Sequence, residues 1–467
     1  MKRSLNRNYQ PGFVEVVGSG GLNLGYEFDE VGNVKKLRTA NQAEPPLRTY
    51  GYDGLNRLTE TKDGATNAVL EAYAYDSTGN RTSATVGGTT TAYSYGSANH
   101  RLNGVGTTAR SHDAAGNTTQ IGGAAKEFVY DDLNRMSLVR TSGTTTRNYA
   151  YNGRGEQVRT WQAANDDRYS VYDEGGQWLG EYDSAGAPTQ QIVWLYDLPA
   201  AVITGSGATR KLHYIEADAL GTPRVVVDPT RGTSGTAIWR WELTGEAFGN
   251  TAPNQDPDND GTAFVFDMRF PGQRYDAASG LNYNYFRDYD AATGRYAKSD
   301  PIGLDGGIST YVYAHSSSLQ FIDPDGLQPV TCSNLRGAQA TIQCDGRGGY
   351  EIVNCNRGCT RECTQKHEQV HIDDWKRRYG RNSCANRARG DLPSDTNQQA
   401  GINYERLSED KFGARSECRA WKISKECAEG IGSEKGCPNE CRTDVDRMIN
   451  TANYWKVYYL CESYGWW

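Results

Sequence analysis

Cysteine is missing from residues 1–331 of this 467-residue chain; all 11 cysteines lie between Cys332 and Cys461. No run of about 18 consecutive apolar residues occurs, which excludes a membrane-spanning helix and stable membrane insertion. No apolar stretch follows the early basic residues of MKRSLNRNYQPGFVEV, so a secretory leader is not expected. Positive charge is not in excess: 50 Lys and Arg face 57 Asp and Glu, and the net of -7 argues against a general nucleic-acid binder. Methionine is scarce (4) while glycine (53) and tyrosine (30) abound, a balance that points to turn-rich β structure rather than helical bundles.

Charge changes where the cysteines begin. Residues 328–467 hold 21 Lys and Arg against 19 Asp and Glu, leaving 29 against 38 in residues 1–327. Two segments under one redox regime would rarely differ so sharply, so a domain boundary is expected near residue 328.

Within the first segment a degenerate unit recurs about every 20 residues: an aromatic pair, Asp, a turn with Gly-Asn or Asn-Arg, then a polar alternating run. It reads YEFDEVGNVKKL from Tyr26, YGYDGLNRLTE from Tyr50, YAYDSTGNRTSA from Tyr73 and YSYGSANHRL from Tyr93. SHDAAGNTTQI from Ser111, FVYDDLNRMSL from Phe128 and YAYNGRGEQVR from Tyr149 continue it. Alternating aromatic and small residues read as a strand, and Asp-x-x-Gly-Asn as a hairpin turn in which Gly and Asn tolerate positive φ. Each hairpin must stack on its neighbours to bury a face.

These units resemble the YD repeats of Rhs polymorphic toxins and of insecticidal toxin-complex shells, which wind into a hollow β-cage. The resemblance implies a multidomain chain: a β-rich YD-repeat shell, here a partial β-cage (residues 1–274), a core-associated module (275–327) and a toxin tip (328–467). RYDAASGLNYNYFRDYDAATGRYAKSDPIGLDGGISTYVYAHSSSLQFIDPDGL, from Arg274 on, is similar to the Rhs module that precedes the variable tip, and it departs from that pattern at Ser309-Thr310 and Ser316–Leu319. It carries two DPxGL copies, Asp300–Leu304 and Asp323–Leu327. In the family this module cuts the chain after the second copy, which implies a scissile Leu327–Gln328 bond with Asp300 and Asp323 as the acid pair. Two carboxyls in one site share a proton, giving one acid and one base. The plainer reading is that each Asp-Pro only starts a turn.

The tip turns to helical patterning. Cys359, Cys363, His367, His371 and Trp375 recur every four residues in a stretch without Gly or Pro, and HEQVH inside it matches H-E-x-x-H. On a helix His367 and His371 point the same way and can hold one Zn²⁺, with Glu368 as the general base toward a water. They are the tip's only histidines, so a third ligand must be another residue type. Glu417, four residues before Trp421, is the choice made here because its setting is similar to the glutamate helix of glutamate-type zincins. Glu405, Glu409, Glu426, Asp373 and Asp374 are alternatives.

The Cys-x-x-x-Cys spacings lack the knuckle of a zinc ribbon, so disulfides bracing a small, mainly α tip in an oxidising compartment fit better than structural zinc. A Cys363 thiolate one turn before His367 stays open as a ligand. Tyr454 and Tyr458 are candidates for binding an oxyanion.

Combined with the resemblance, this implies the C-terminal part of an Rhs-type toxin: a shell that encloses and releases by self-cleavage a zinc metallopeptidase with a zincin-like fold. The substrate expected is a protein of a competitor or host, not nucleic acid. The resemblance further implies a cognate immunity protein, a secretion carrier or chaperone, and delivery as an effector. The competing reading is a cysteine-rich adhesion tip in which HEQVH is coincidence.

Overall fold

A computed structural model describes residues 2–5, 11–16, 21–39, 41, 43–96, 99–162, 166–173, 175–195, 198–327, 340–344, 350–354, 361–379, 411–433, 448–449 and 452. The chain divides into two compact units, residues 1–173 with 177–334, and residues 335–467 with 174–176.

Among the described residues the main sheet of the first unit has 23 strands from Lys2–Leu5 to Thr236–Arg240. Register shows each strand paired antiparallel with the next in sequence, a continuous meander. The repeat explains it. In the turns of Asp29, Asp53, Asp76 and Asp131 the Asp accepts hydrogen bonds at one carboxylate oxygen from the backbone amides two and four residues on. Asp76 takes those of Thr78 and Asn80, both at 2.9 Å. Its second oxygen accepts from the side chain four residues on, Asn80 Nδ2 at 2.8 Å; in the Asn-Arg version Arg57 Nε reaches Asp53 at 2.7 Å. The intervening position is left-handed, with φ of 92° at Gly79 and 61° at Asn56. Only Gly or Asn occupies that conformation cheaply, hence the alternation between Gly-Asn and Asn-Arg.

The two aromatics divide the work. The first is buried, as in Tyr50, Tyr73, Phe128 and Tyr149. The second, just before the Asp, donates its hydroxyl to the carbonyl that opens the second strand of the preceding hairpin. Tyr52 reaches Val34, Tyr75 reaches Leu58, Tyr130 reaches Thr118, Tyr151 reaches Met136 and Tyr172 reaches Gln157, all at 2.8–2.9 Å. Trp194 Nε1 repeats the contact on Trp178 at 2.9 Å.

The sheet curls until its ends share a core. Val14, Leu37, Leu58 and Leu102 pack in one cluster with Val225, Val227 and Ala237, and Glu216 accepts the Leu22 amide at 2.6 Å. The short strands Arg274–Asp276, Leu281–Asn284, Arg287–Asp290 and Arg295–Tyr296 form a separate four-stranded sheet. Its residues bond across to the repeat strands: Arg110 pairs with Asp290 at 2.7 Å and the Gln157 amide meets Tyr283 at 2.9 Å; beyond the sheet, Tyr311 donates to the carbonyl of the turn residue Gly116 at 2.7 Å.

Asp76→Ala removes four hydrogen bonds from one turn and is expected to lower the stability of this unit by about 1–2 kcal/mol, read as a fall in its urea midpoint. Burial would raise the Asp76 carboxyl, but bonds from Asn80 and Thr78 hold it below its usual value, and Asp53 and Asp131 are lowered likewise, with Arg57 and Arg135 as their partners. A depressed folded-state pKa stabilises above the unfolded value, and that contribution is lost as pH falls through the folded one. The repeat turns therefore weaken in acid, below the ordinary carboxylate range.

The second unit contains the hairpin Ala340–Cys344 with Tyr350–Asn354, helix α1 (Arg361–Tyr379) and helix α2 (Lys411–Ser433). The hairpin adds β structure to a tip whose sequence predicts mainly helix. Among the described residues no helix is long and apolar enough to cross a membrane.

Candidate functional site

Both Asp-Pro pairs do open turns. The Gly303 amide bonds to the Asp300 carbonyl at 3.0 Å and the Ile302 amide to Asp300 Oδ1 at 3.1 Å. The turns also bring two distant carboxylates onto one guanidinium. Arg287 donates from Nη1 to Asp300 Oδ2 and from Nη2 to Asp323 Oδ2, each at 2.9 Å, and all three side chains are at most 2% exposed. Its Nε bonds to the Gly326 carbonyl, which ties the cluster to the second DPxGL.

The Leu327 amide donates to Asp323 Oδ1 at 2.9 Å. A β-carbon on Gly306 would collide with the Asp300 carboxylate and lie 3.1 Å from the Leu327 carbonyl oxygen, so both oxygens face the same stretch of backbone. Tyr296 donates to Asp323 Oδ2 at 2.8 Å and carries the Arg287 guanidinium 3.6 Å from its ring centroid. Burial pushes the Asp323 carboxyl up, against Arg287, Tyr296 and the Leu327 amide, which favour its charged form. Gln328 lies outside the described residues. Arg287 was not singled out from sequence. It lies in a run of aromatic and charged residues with no diagnostic spacing, and only the tertiary fold shows that two negative groups need it.

In the tip, α1 places His367 and His371 one turn apart with their Nε2 atoms 3.3 Å from each other. His367 Nδ1 lies 3.0 Å from Ser424 Oγ on α2, and Ser424 donates its own proton to the Ala420 carbonyl at 3.1 Å. Ser424 therefore accepts from Nδ1–H, which fixes the tautomer and leaves a lone pair on Nε2. His367 is buried with Trp421 edge-on at 4.4 Å, and burial, then His371, hold its pKa well below the usual value. Glu368 is also buried.

The donor set fits Zn²⁺ in part. Two nitrogens at bonds of about 2.0–2.1 Å and a tetrahedral angle stand about 3.3 Å apart, the separation observed here. The third ligand chosen from sequence, Glu417, lies on α2, but its side chain is outside the described residues. Among the described residues the one cluster of three possible ligands is Asp256, Asp258 and Asp260 in the first unit, where Arg231 pairs with Asp258 and Asp260. The alternative Asp373 is exposed and accepts from Gln369 at 2.9 Å. Tyr454, Tyr458, Glu405 and Glu409 lie outside the described residues.

The thiolate reading of Cys363 is corrected. Cys363 is bonded to Cys427 across α1 and α2, Cα–Cα 5.5 Å, so no thiolate stands beside His367. Cys418 is also disulfide-bonded.

Residues 14–307 match the family model described as Teneurin YD-shell. Double-stranded DNA deaminase toxin A of Burkholderia cenocepacia is 28% identical over 65% of this chain and 17% of its own length. The probable deoxyribonuclease RhsA of Dickeya dadantii is 29% identical over 68% of this chain and 22% of its own. The Tc holotoxin pore of Photorhabdus luminescens aligns at TM-score 0.53 and 20% identity over 70% of this chain and 18% of that one, which shows likeness of fold. The chain thus spans about a fifth of the length of these proteins.

The names of these relatives overturn the expectation of a protein substrate with no nucleic acid, since two are named for action on DNA. The net charge of -7 does not decide the matter, because it averages the whole chain while a polyanion is met by local groups. From the hydroxyl-linked hairpins and the span of residues 14–307, the chain belongs to the Teneurin YD-shell family and is an Rhs/YD-repeat shell protein.

Proposed function

We propose that the chain is an Rhs-type toxin: its shell cuts the bond after Leu327 to free a tip that is a zinc-dependent hydrolase of the H-E-x-x-H type. The observation that carries the first part is the convergence of Asp300 and Asp323 on Arg287, with the Leu327 amide on Asp323. In the cut, water adds across the Leu327–Gln328 amide. One aspartate accepts the water's proton as oxygen bonds to the Leu327 carbonyl carbon, and the other gives a proton to the departing Gln328 nitrogen. Leu327 ends as a carboxylate and Gln328 as an amine.

In the tip His367 and His371 would hold the zinc, with Glu417 as the third ligand. Bound there, Zn²⁺ supplies Lewis acidity to a water and to the substrate's electrophilic centre. Ser424 holds the His367 ring in its tautomer, and Glu368 takes a proton from the attacking water. The relatives' names make nucleic acid the substrate class carried here. The Cys363–Cys427 bond supports passage of the tip through an oxidising compartment on its way to the target. A cognate immunity protein and a delivery carrier complete the proposal.

The purified chain, stripped with a chelator and reloaded with Zn²⁺, is to be assayed on duplex DNA, single-stranded DNA and tRNA, with an unfolded polypeptide as the control. Conversion of a nucleic acid that needs added zinc is the expected result. Conversion indifferent to chelator removes the zinc reading; cleavage of the polypeptide alone removes the nucleic-acid one.

A further inference from the structure

Asp323 and Asp300 share one guanidinium, yet their surroundings differ. Asp323 accepts from three donors: Arg287 Nη2 at 2.9 Å, the Tyr296 hydroxyl at 2.8 Å and the Leu327 amide at 2.9 Å. Asp300 accepts from Arg287 and the Ile302 amide, and its carboxylate shares the Gly306 backbone with the Leu327 carbonyl oxygen. A carboxyl ringed by donors is favoured when ionised.

Tyr296 is what makes the difference removable. It is 1% exposed, and its hydroxyl accepts from Asn284 Nδ2 at 2.7 Å while donating to Asp323 Oδ2. Asn284 is anchored by a second bond to the Asp323 carbonyl at 2.9 Å, so the phenol cannot turn its proton elsewhere without losing Asn284. Deleting only that hydroxyl leaves the Arg287 contacts and the Asn284–Asp323 bond in place.

Resting on the self-cleavage reading above, we propose that Tyr296 is a positioning residue: by donating to Asp323 it keeps that carboxylate the ionised partner and general base, and so leaves the pair's proton on Asp300. The groups facing Asp323 are Arg287, Tyr296, Tyr313 and Asp325, with Asp300 opposite across Arg287. Of these Arg287 favours the charge on Asp323, and Asp325 opposes it.

The test compares wild type, Tyr296→Phe and Asp323→Asn as full chains made by cell-free synthesis and transferred to buffers from pH 5 to 8. Cleavage is timed by intact mass, and folding is followed by near-ultraviolet circular dichroism. A base that must be ionised gives a rate that falls as pH drops through its pKa. Losing a donor raises that pKa, so in Tyr296→Phe the acid limb should move up by about half a unit to one unit. The rate at pH 7 should fall about tenfold. A native-like spectrum with an unmoved limb, whether the rate holds or drops, overturns the role of Tyr296. Undiminished cleavage by Asp323→Asn instead overturns the self-cleavage reading beneath it.

Discussion

Asp323→Asn should stay at the full mass of its 467 residues, with the chain after Leu327 uncut. The substitution keeps the shape of the side chain and an oxygen for the Arg287 Nη2, which now stands 2.9 Å from Asp323 Oδ2. It removes the capacity to take a proton from water, and loss of a positioned acid or base costs about 10²–10⁴-fold. Folding should survive for an electrostatic reason. Two buried carboxyls share one guanidinium, so with a neutral amide at 323 Asp300 can carry the one negative charge against Arg287 and no charge is stranded. Asp300→Asn is symmetrical in this respect and should also stay full length. Removing Arg287 is the opposite case, since it strands a buried negative charge and takes a donor from both carboxyls, and should unfold the module. Intact mass with circular dichroism separates these outcomes, and a folded Asp323→Asn that still yields two fragments assigns the cut to other residues.

The second large effect is expected in the tip. Glu368→Gln should keep its zinc, about one ion per chain, yet lose about 10²–10⁴-fold in catalysis, because the amide cannot accept a proton. His367→Ala should lose the ion itself, as it removes one of the two nitrogens that stand 3.3 Å apart. Metal content by atomic emission and conversion of nucleic acid by the purified chain give independent readouts. Equal conversion by wild type and Glu368→Gln would exclude this glutamate from the chemistry.

How far the sequence could be read depends on how far apart the interacting residues lie. The turn chemistry is local: the Asp76 carboxylate accepts hydrogen bonds from residues no further than Asn80, so composition and spacing sufficed to name hairpins and the positive-φ site. The same holds for His367 and His371, neighbours on one helix. What was hidden depends on contacts with no sequence proximity. Arg287 meets Asp323 36 positions away, and Ser424 meets His367 57 positions away. The closure that puts Glu216 on the Leu22 amide spans 194. The expectation of no nucleic acid, which the relatives' names overturn, rested on net charge, and net charge reports an average that local recognition does not follow.

The backward-reaching phenol contacts carry a consequence for assembly. Tyr75 binds a carbonyl at Leu58 and Tyr151 one at Met136, always on chain that leaves the ribosome earlier. Through this contact each new hairpin docks on a course already laid, as in bricklaying, while bonds such as Leu22 to Glu216 and Arg110 to Asp290 form later. A wall raised in that order meets its own first course only when the last strands arrive.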